Sequence, residues 1–331
     1  MVVKQPPALL GVGLVAALLV GGGARGGARA EAQELAPLVT MCAGGSSTLI
    51  APCQSTILAV QSIRGGISIA AASGSELAGT SSTLGRRLGR TPRVSLAARF
   101  KATVFDIPDV LGSGAALLSQ TSVAAYSIKA TAAVGVLDGF STLPSVGGFL
   151  SLDLIGSLNL VFLQEGDGFS ENERLISIGG RLGLLRESFT MPGVTVSLVR
   201  HYGEDLNWGD VTTTGASLNA DITTTSLRAT IGKDVLAIAL LAGAGLDWQK
   251  GYFDVRVADP GVAGGEGVLV GQNMTTRRPV YYVGASLTRL IFQMSLEAGW
   301  AGGFSTLDGF QGEYDPEGIT PFVNLAFRLT I

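Results

Sequence analysis

The chain has 331 residues, a net charge of −3, a pI near 5.3 and no basic block, which argues against a nucleic-acid partner. Charged residues are only 15% and mean hydropathy is +0.40, outside the range of an average soluble protein, so this apolar surface must lie in a bilayer or in a very dry core. One histidine and two cysteines supply no ligand cluster, so neither a metal nor a cofactor is expected.

From the amino end, Lys4, the apolar run Ala8 to Val20 and the small-residue stretch ending Ala28-Arg29-Ala30 read as a signal peptide over 1–30, cleaved before Glu31. The run is too short to span a membrane comfortably. Export brings an oxidising compartment, so Cys42 and Cys53 are expected to form a short-loop disulfide. Residues 31–92 do not follow a strand pattern. Gln54 to Ser73 is rich in Ala, Ile, Leu and Val and reads as partly helical. Residues 74–90 are small and polar, ending in Arg86-Arg87-Leu88-Gly89-Arg90. The apolar content favours a packed location. The expectation is a disulfide-pinned plug entering a lumen from the periplasmic side, with a periplasmic extension beneath the mouth as the alternative.

From residue 93 to 331 a two-residue period takes over. Leu152, Leu154, Leu158, Leu160 and Phe162 alternate with Ser151, Asp153, Ser157 and Asn159. A helix would scatter these polar residues around its circumference, whereas a strand puts them on one face. The same alternation recurs through Ala124 to Val136, Leu236 to Trp248 and Phe292 to Trp300. Segments of roughly ten residues with one apolar face are the pattern of transmembrane strands. Ten strands are expected, at 93–106, 122–137, 147–163, 174–186, 192–203, 218–232, 234–256, 276–289, 291–303 and 319–331, with twelve as the variant. Tight turns are expected at Arg186-Glu187-Ser188, Gly232-Lys233-Asp234 and Thr288-Arg289. Long loops near 204–217, 257–275 and 304–318 fall on the other side, and the 138–146 connection is the exception to that parity. The fold class is therefore all-β: a transmembrane antiparallel up-and-down barrel, closed because lipid leaves no partner for an open edge.

If the alternation holds, Arg99, Lys101, Lys129, Asp153, Arg181, Asp247, Glu297 and Arg328 point into the lumen, as ion pairs or as lining for a water path. Tyr126, Phe162, Trp248, Tyr252, Tyr281 and Trp300 suit interfacial girdles. His201, the lone histidine, is expected at the extracellular rim near Glu204, Asp205, Asp210 and Asp221, where a barrel hydrolase would need it. The Gly-rich stretch Gly261 to Gly271 reads as a flexible external loop, since the phosphate-loop spacing is absent. Asp259, Glu266, Asp308, Glu313, Asp315 and Glu317 make the outer loops acidic.

The chain closes on Val323, Leu325, Phe327, Leu329 and Ile331, alternating with Asn324, Ala326, Arg328 and Thr330. This end resembles the C-terminal assembly signal of bacterial outer-membrane β-barrels, although those signals usually end in Phe. The layout, a segment of about sixty residues before a barrel, also resembles the FadL-type transporters of hydrophobic compounds. That likeness carries no motif: Asn-Pro-Ala is missing and the strand count is lower. The resemblance implies a Gram-negative outer membrane, lipid and the barrel-assembly machinery as partners, and porin-like passage or uptake of a small, perhaps hydrophobic, solute. The alternative is a non-enzymatic adhesive or structural surface barrel acting through its loops. A hydrolase using His201 is third, so no catalytic residue is assigned.

Overall fold

A computed structural model describes residues 35–87, 91–110, 119–140, 149–188, 191–304, 310 and 312–331. The signal-peptide reading of 1–30 and residues 141–146 of the exceptional connection lie outside them. Ten strands form one sheet: β1 (Val94–Pro108), β2 (Gln120–Leu137), β3 (Ser151–Phe162), β4 (Glu173–Leu185), β5 (Gly193–Asp210), β6 (Ala216–Val235), β7 (Ile238–Ala258), β8 (Glu266–Arg289), β9 (Phe292–Ala301) and β10 (Thr320–Thr330). Each pairs antiparallel with its sequence neighbours, and β10 pairs with β1, Phe322 opposite Thr103 and Thr330 opposite Ser95. The sheet is a closed barrel. Val94 and Ile331 exchange backbone hydrogen bonds of 3.0 and 2.9 Å at the seam.

The alternation that defines the strands also sorts their faces. On β2, Tyr126, Ile128 and Val134 face outward while Ser127, Lys129 and Thr131 are buried in the lumen. On β10, Val323, Leu325, Phe327 and Ile331 are exposed outside while Thr320, Phe322, Asn324 and Ala326 are buried. Toward the long-loop end the polarity inverts. There β6 turns Leu218, Ala220 and Ile222 inward with Asn219 outward, and β7 turns Phe253, Val255 and Val257 inward with Arg256 outward. Bulges between Tyr202 and Asp205 on β5, and between Leu269 and Gln272 on β8, shift the register where this change occurs. The expected loops at 204–217 and 257–275 are thus largely strand, and Glu266 to Gly271 belongs to β8 rather than to a flexible loop. The period is unchanged; only its polarity is, which is why a search for apolar-out strands stops short.

The connection at Arg186-Glu187-Ser188 falls between β4 and β5 as expected, while the other two short turns lie slightly beyond their expected places, at Leu236-Ala237 and Leu290-Ile291. Leu236 and Leu290 adopt φ of 60° and 57°, as does Leu150 at 60°, all at the short-turn end. Glycine or Asn is the usual residue there.

Residues 35–43 form helix α1, and Ile50–Ala72 form α2. The 23-residue α2 carries apolar residues on every face, as a helix buried on all sides needs, and buries Gln61, Ser62, Arg64 and Ser68 among them. Ile57, Leu58, Val60, Ile63 and Ile67 are fully buried against Phe105, Val161, Leu175, Trp208, Phe253 and Met274 of the wall. Gly65 and Gly66 permit that contact: a Cβ on Gly66 would stand 2.3 Å from the Phe105 ring. Among the described residues no helix is long and apolar enough to cross a membrane.

The chain runs down the lumen from the long-loop mouth. Thr48 Oγ1 donates to Asp259 Oδ1 at 2.7 Å at that mouth. Ser68 meets Thr224 at 2.6 Å in the middle, and Glu187 N–H donates to Ser82 Oγ at 3.2 Å near the short turns. Arg93 N–H then donates to Gly85 O at 3.2 Å as the chain doubles back into β1. The disulfide thus sits at the long-loop mouth, and the segment joins β1 at the short-turn mouth. Gly66→Val should destabilise the barrel by about 1–3 kcal/mol through overpacking, and Phe105→Leu in the same chain should recover part of it. Denaturant titration read by heat-modifiable migration measures both.

Candidate functional site

The short-turn half of the lumen is a buried ionic cluster around the carboxyl end of α2. The last helical carbonyls have no intrahelical partners, and wall cations supply them. Lys101 Nζ donates to Ala71 O at 2.8 Å and Ser73 O at 3.1 Å. Arg228 Nη2 donates to Ala72 O at 3.2 Å, and Ser127 Oγ to Ala70 O at 2.7 Å. Arg99 Nη1 reaches Ser75 O at 2.6 Å, just past the helix. Gly74, at φ +79°, turns the chain where a Cβ would strike the Glu297 carboxylate at 2.3 Å.

The carboxylates are tied in as well. Asp247 Oδ2 accepts from Arg228 Nη2 at 2.9 Å and Oδ1 from Ser226 Oγ at 2.6 Å, with Arg228 Nη1 2.7 Å from Oδ1. Asp153 accepts from Arg181 Nη2 at 2.9 Å and from the Leu84 N–H at 3.0 Å. Glu297 accepts from the Ser75 N–H at 3.0 Å and lies 3.9 Å from Arg99. Glu76, on the lumen segment, lies 3.5 Å from Lys129 Nζ. Arg328 faces inward with its Nε and Nη1 unpartnered. The eight candidate lumen residues thus lie in one compartment; six of them bond or pair with the segment 71–84 or with one another, and Asp247 pairs instead with Arg228.

Three participants had no distinguishing sequence signal. Glu76 lies in a small polar stretch, and Arg228 and Ser177 look like ordinary strand residues. Strand parity marks the last two as inward, but only the threaded segment gives them partners. His201 is not at an extracellular rim: it is fully buried in the lumen. Its Nδ1 lies 2.7 Å from Ser177 Oγ, and its Nε2 lies 3.9 Å from Glu76 Oε1. The order of groups is that of a nucleophile, a base and an orienting acid. All three are buried, however, and the His–Glu separation exceeds a hydrogen bond. Asn159, Ser157 Oγ, His201 Nε2 and Glu76 Oε1 have no hydrogen-bond partner.

At the opposite mouth the Cys42–Cys53 disulfide joins α1 to the start of α2, with S–S 2.03 Å. This cap rests on the barrel through Asp259, which accepts from Thr48, from Ser46 Oγ at 3.3 Å and from the Gly261 N–H at 2.8 Å. The Thr48 hydroxyl, then the Gly261 N–H, hold the Asp259 carboxyl below its ordinary range. Among the described residues no group of three His, Cys, Asp or Glu could hold a metal ion. The residues of the C-terminal signal, with Leu329 partly buried, line the outer face of β10.

No family model and no curated protein matches the chain. Solved structures similar to it are outer-membrane β-barrels. The translocator domain of the autotransporter NalP from Neisseria meningitidis is 11% identical, over 72% of this chain and 88% of that one, with a TM-score of 0.40. The outer membrane protease OmpT from Escherichia coli is 10% identical, over 72% and 96%, with a TM-score of 0.33. The toluene transporter TbuX from Ralstonia pickettii is 9% identical, over 72% and 88%, with a TM-score of 0.25. These likenesses are to the barrel fold alone.

Arg228→Met should cost about 3–5 kcal/mol by leaving Asp247 buried and unpaired, while Arg228→Met with Asp247→Leu should return close to the parent stability. Equilibrium unfolding of the four-member cycle measures this. A depressed carboxyl stabilises the docked cap above its ordinary value near 3.9 and loses that contribution as pH falls through the lower folded value. Thr48→Val should therefore raise the pH at which residues 46–48 become labile to hydrogen exchange.

Proposed function

We propose that the protein is a Gram-negative outer-membrane barrel, closed to passive diffusion, that acts at the cell surface through its long loops and disulfide-bonded cap and carries out no catalysis. The membrane placement rests on the apolar outer belt and on the aromatic residues at its long-loop margin. There Tyr281 and Trp300 pack with ring centroids 5.8 Å apart, and Arg277 lies 5.8 Å from the Trp248 ring. With the short turns in the periplasm, the long loops and the cap stand outside. Export by a cleaved signal peptide over 1–30, and insertion by the barrel-assembly machinery through β10, belong to the same reading.

The observation that carries it is the filled lumen. The side chains of α2 are buried from Cys53 to Ala72, save for the half-buried Gln54, and residues 73–84 complete the filling, almost all of them buried too. A passive pore needs a continuous water path, and this segment occupies its course. A second reading, uptake of a small solute by displacement of the segment, is favoured by the unpartnered polar groups on Asn159, Ser157, Glu76 and His201.

Conductance of the folded full-length protein in a planar bilayer tests the two. Silence with and without reductant is the expected result. Steps before reduction would overturn the closed reading, and steps appearing only on reduction of Cys42–Cys53 would favour the displaceable segment. Shaving the long loops should abolish binding to cell surfaces without loss of the folded barrel, and His201→Ala should leave any hydrolytic background unchanged.

A further inference from the structure

The outer wall has a groove where its neighbours have ridges. Ala98 on β1, Ala130 and Ala132 on β2 and Gly156 on β3 face outward between larger side chains, Leu96 on one flank and Leu158 on the other. The groove has a volume of about 920 Å³, at the upper end of the roughly 300–1,000 Å³ usual for ligand clefts. It follows one line of paired residues: Arg289 opposite Phe292, Phe292 opposite Leu329, Leu329 opposite Leu96, Leu96 opposite Ala132, and Ala132 opposite Gly156. Because the strands tilt, this line starts beside the Leu290 turn and climbs toward the middle of the barrel wall.

The two ends of the line differ in chemistry. The outward side chains at the upper end, Ala130, Leu158 and Ile176, are apolar and continuous with the outer belt, while Thr131, Ser157 and Ser177 turn into the lumen. The lower end holds exposed Arg289, and no carboxylate lines the groove. The level of that end is marked by Leu236 and Leu290, which protrude at 102% and 94% exposure from the two short turns beside it. Fully exposed leucines at turn tips suit the membrane interface and not bulk water. A guanidinium at the interface with an apolar channel rising from it matches one molecule class: an anionic headgroup with an acyl chain.

We propose that this groove is a seat for a single phospholipid of the inner, periplasmic leaflet, its phosphate on Arg289 and one acyl chain over Ala98, Ala132 and Gly156. The proposal rests on the reading above that the barrel lies in a bilayer with its short turns in the periplasm, but not on what the loops or the lumen do.

The test is lipid retention by the full-length protein, counted by native mass spectrometry after exchange into a short-chain detergent. Heat-modifiable migration reports folding in parallel. Ala132→Phe fills the groove, with Ala98→Leu as the milder filling should Ala132→Phe fail to fold. Arg289→Gln removes the headgroup contact, and Ala242→Phe places the same bulk on the outer face of β7, away from the groove. The expected result is one phospholipid per parent barrel, loss in the groove-filling variants, about fivefold weaker retention in Arg289→Gln, and no change in Ala242→Phe. Absence of retained lipid in the parent, or equal retention in all variants, would overturn the proposal. Retention of an outer-leaflet glycolipid in place of phospholipid would overturn the assignment to the inner leaflet. A parent protein that fails to fold into vesicles at all would instead refute the membrane reading beneath it.

Discussion

The carboxyl end of α2, held inside a ring of wall cations, is the contact on which the rest of the lumen depends. The helix ends with carbonyls that lack intrahelical partners and with the negative pole of its dipole, in a compartment buried from solvent. Arg99, Lys101, Lys129, Arg181, Arg228 and Arg328 face that compartment, while Glu76, Asp153, Asp247 and Glu297 are its carboxylates. The cations outnumber the carboxylates, and the helix end absorbs the surplus: Lys101 is bonded to two carbonyls of the segment. Reversing the threading would put the negative pole among Phe105, Trp208 and Phe253 and leave the cations short of acceptors. Electrostatics therefore accounts for the direction of the chain as well as its anchorage.

Much of the wall is legible from residue order. The alternation through Ala124 to Val136 and Val323 to Ile331 assigns strands and faces without reference to partners, because a period of two has one geometric meaning. What the residue order obscured is explained by the same physics. β5 and β8 continue past their expected bounds because, beyond the bulges at Tyr202/Asp205 and Leu269/Gln272, the apolar residues turn inward while the alternation persists. The turns at Leu236 and Leu290 escaped notice because turn chemistry points to Gly, Asn or Asp, and these positions hold leucine in a left-handed conformation. The partners of Asp247 and Lys129 were not legible, since strand parity reports a face and not what stands opposite it.

The two halves of the lumen divide the work of holding the segment. Toward the long loops, α2 packs in a dry core where exchange of one side chain for a larger one meets aromatic walls. Toward the short turns, directional bonds fix 73–84 in register with Asn324, Glu297 and Asp153. A close-packed half resists water and a hydrogen-bonded half resists sliding, so neither feature alone would keep the lumen filled.

The threaded path also constrains the order of assembly. At one mouth the segment carries a disulfide-closed knot, and at the other it doubles back through 85–93 into the first strand. Neither end can be drawn through a finished cylinder packed this tightly. The wall must therefore wrap around the segment while it is still an open sheet, and the pairing of β10 with β1, from Phe322–Thr103 to Thr330–Ser95, is the one seam that joins strands distant in sequence. The segment then serves as a template on which the cylinder is completed, and Lys101 and Arg99, on the strand that forms one side of the seam, find their carbonyls before that seam shuts.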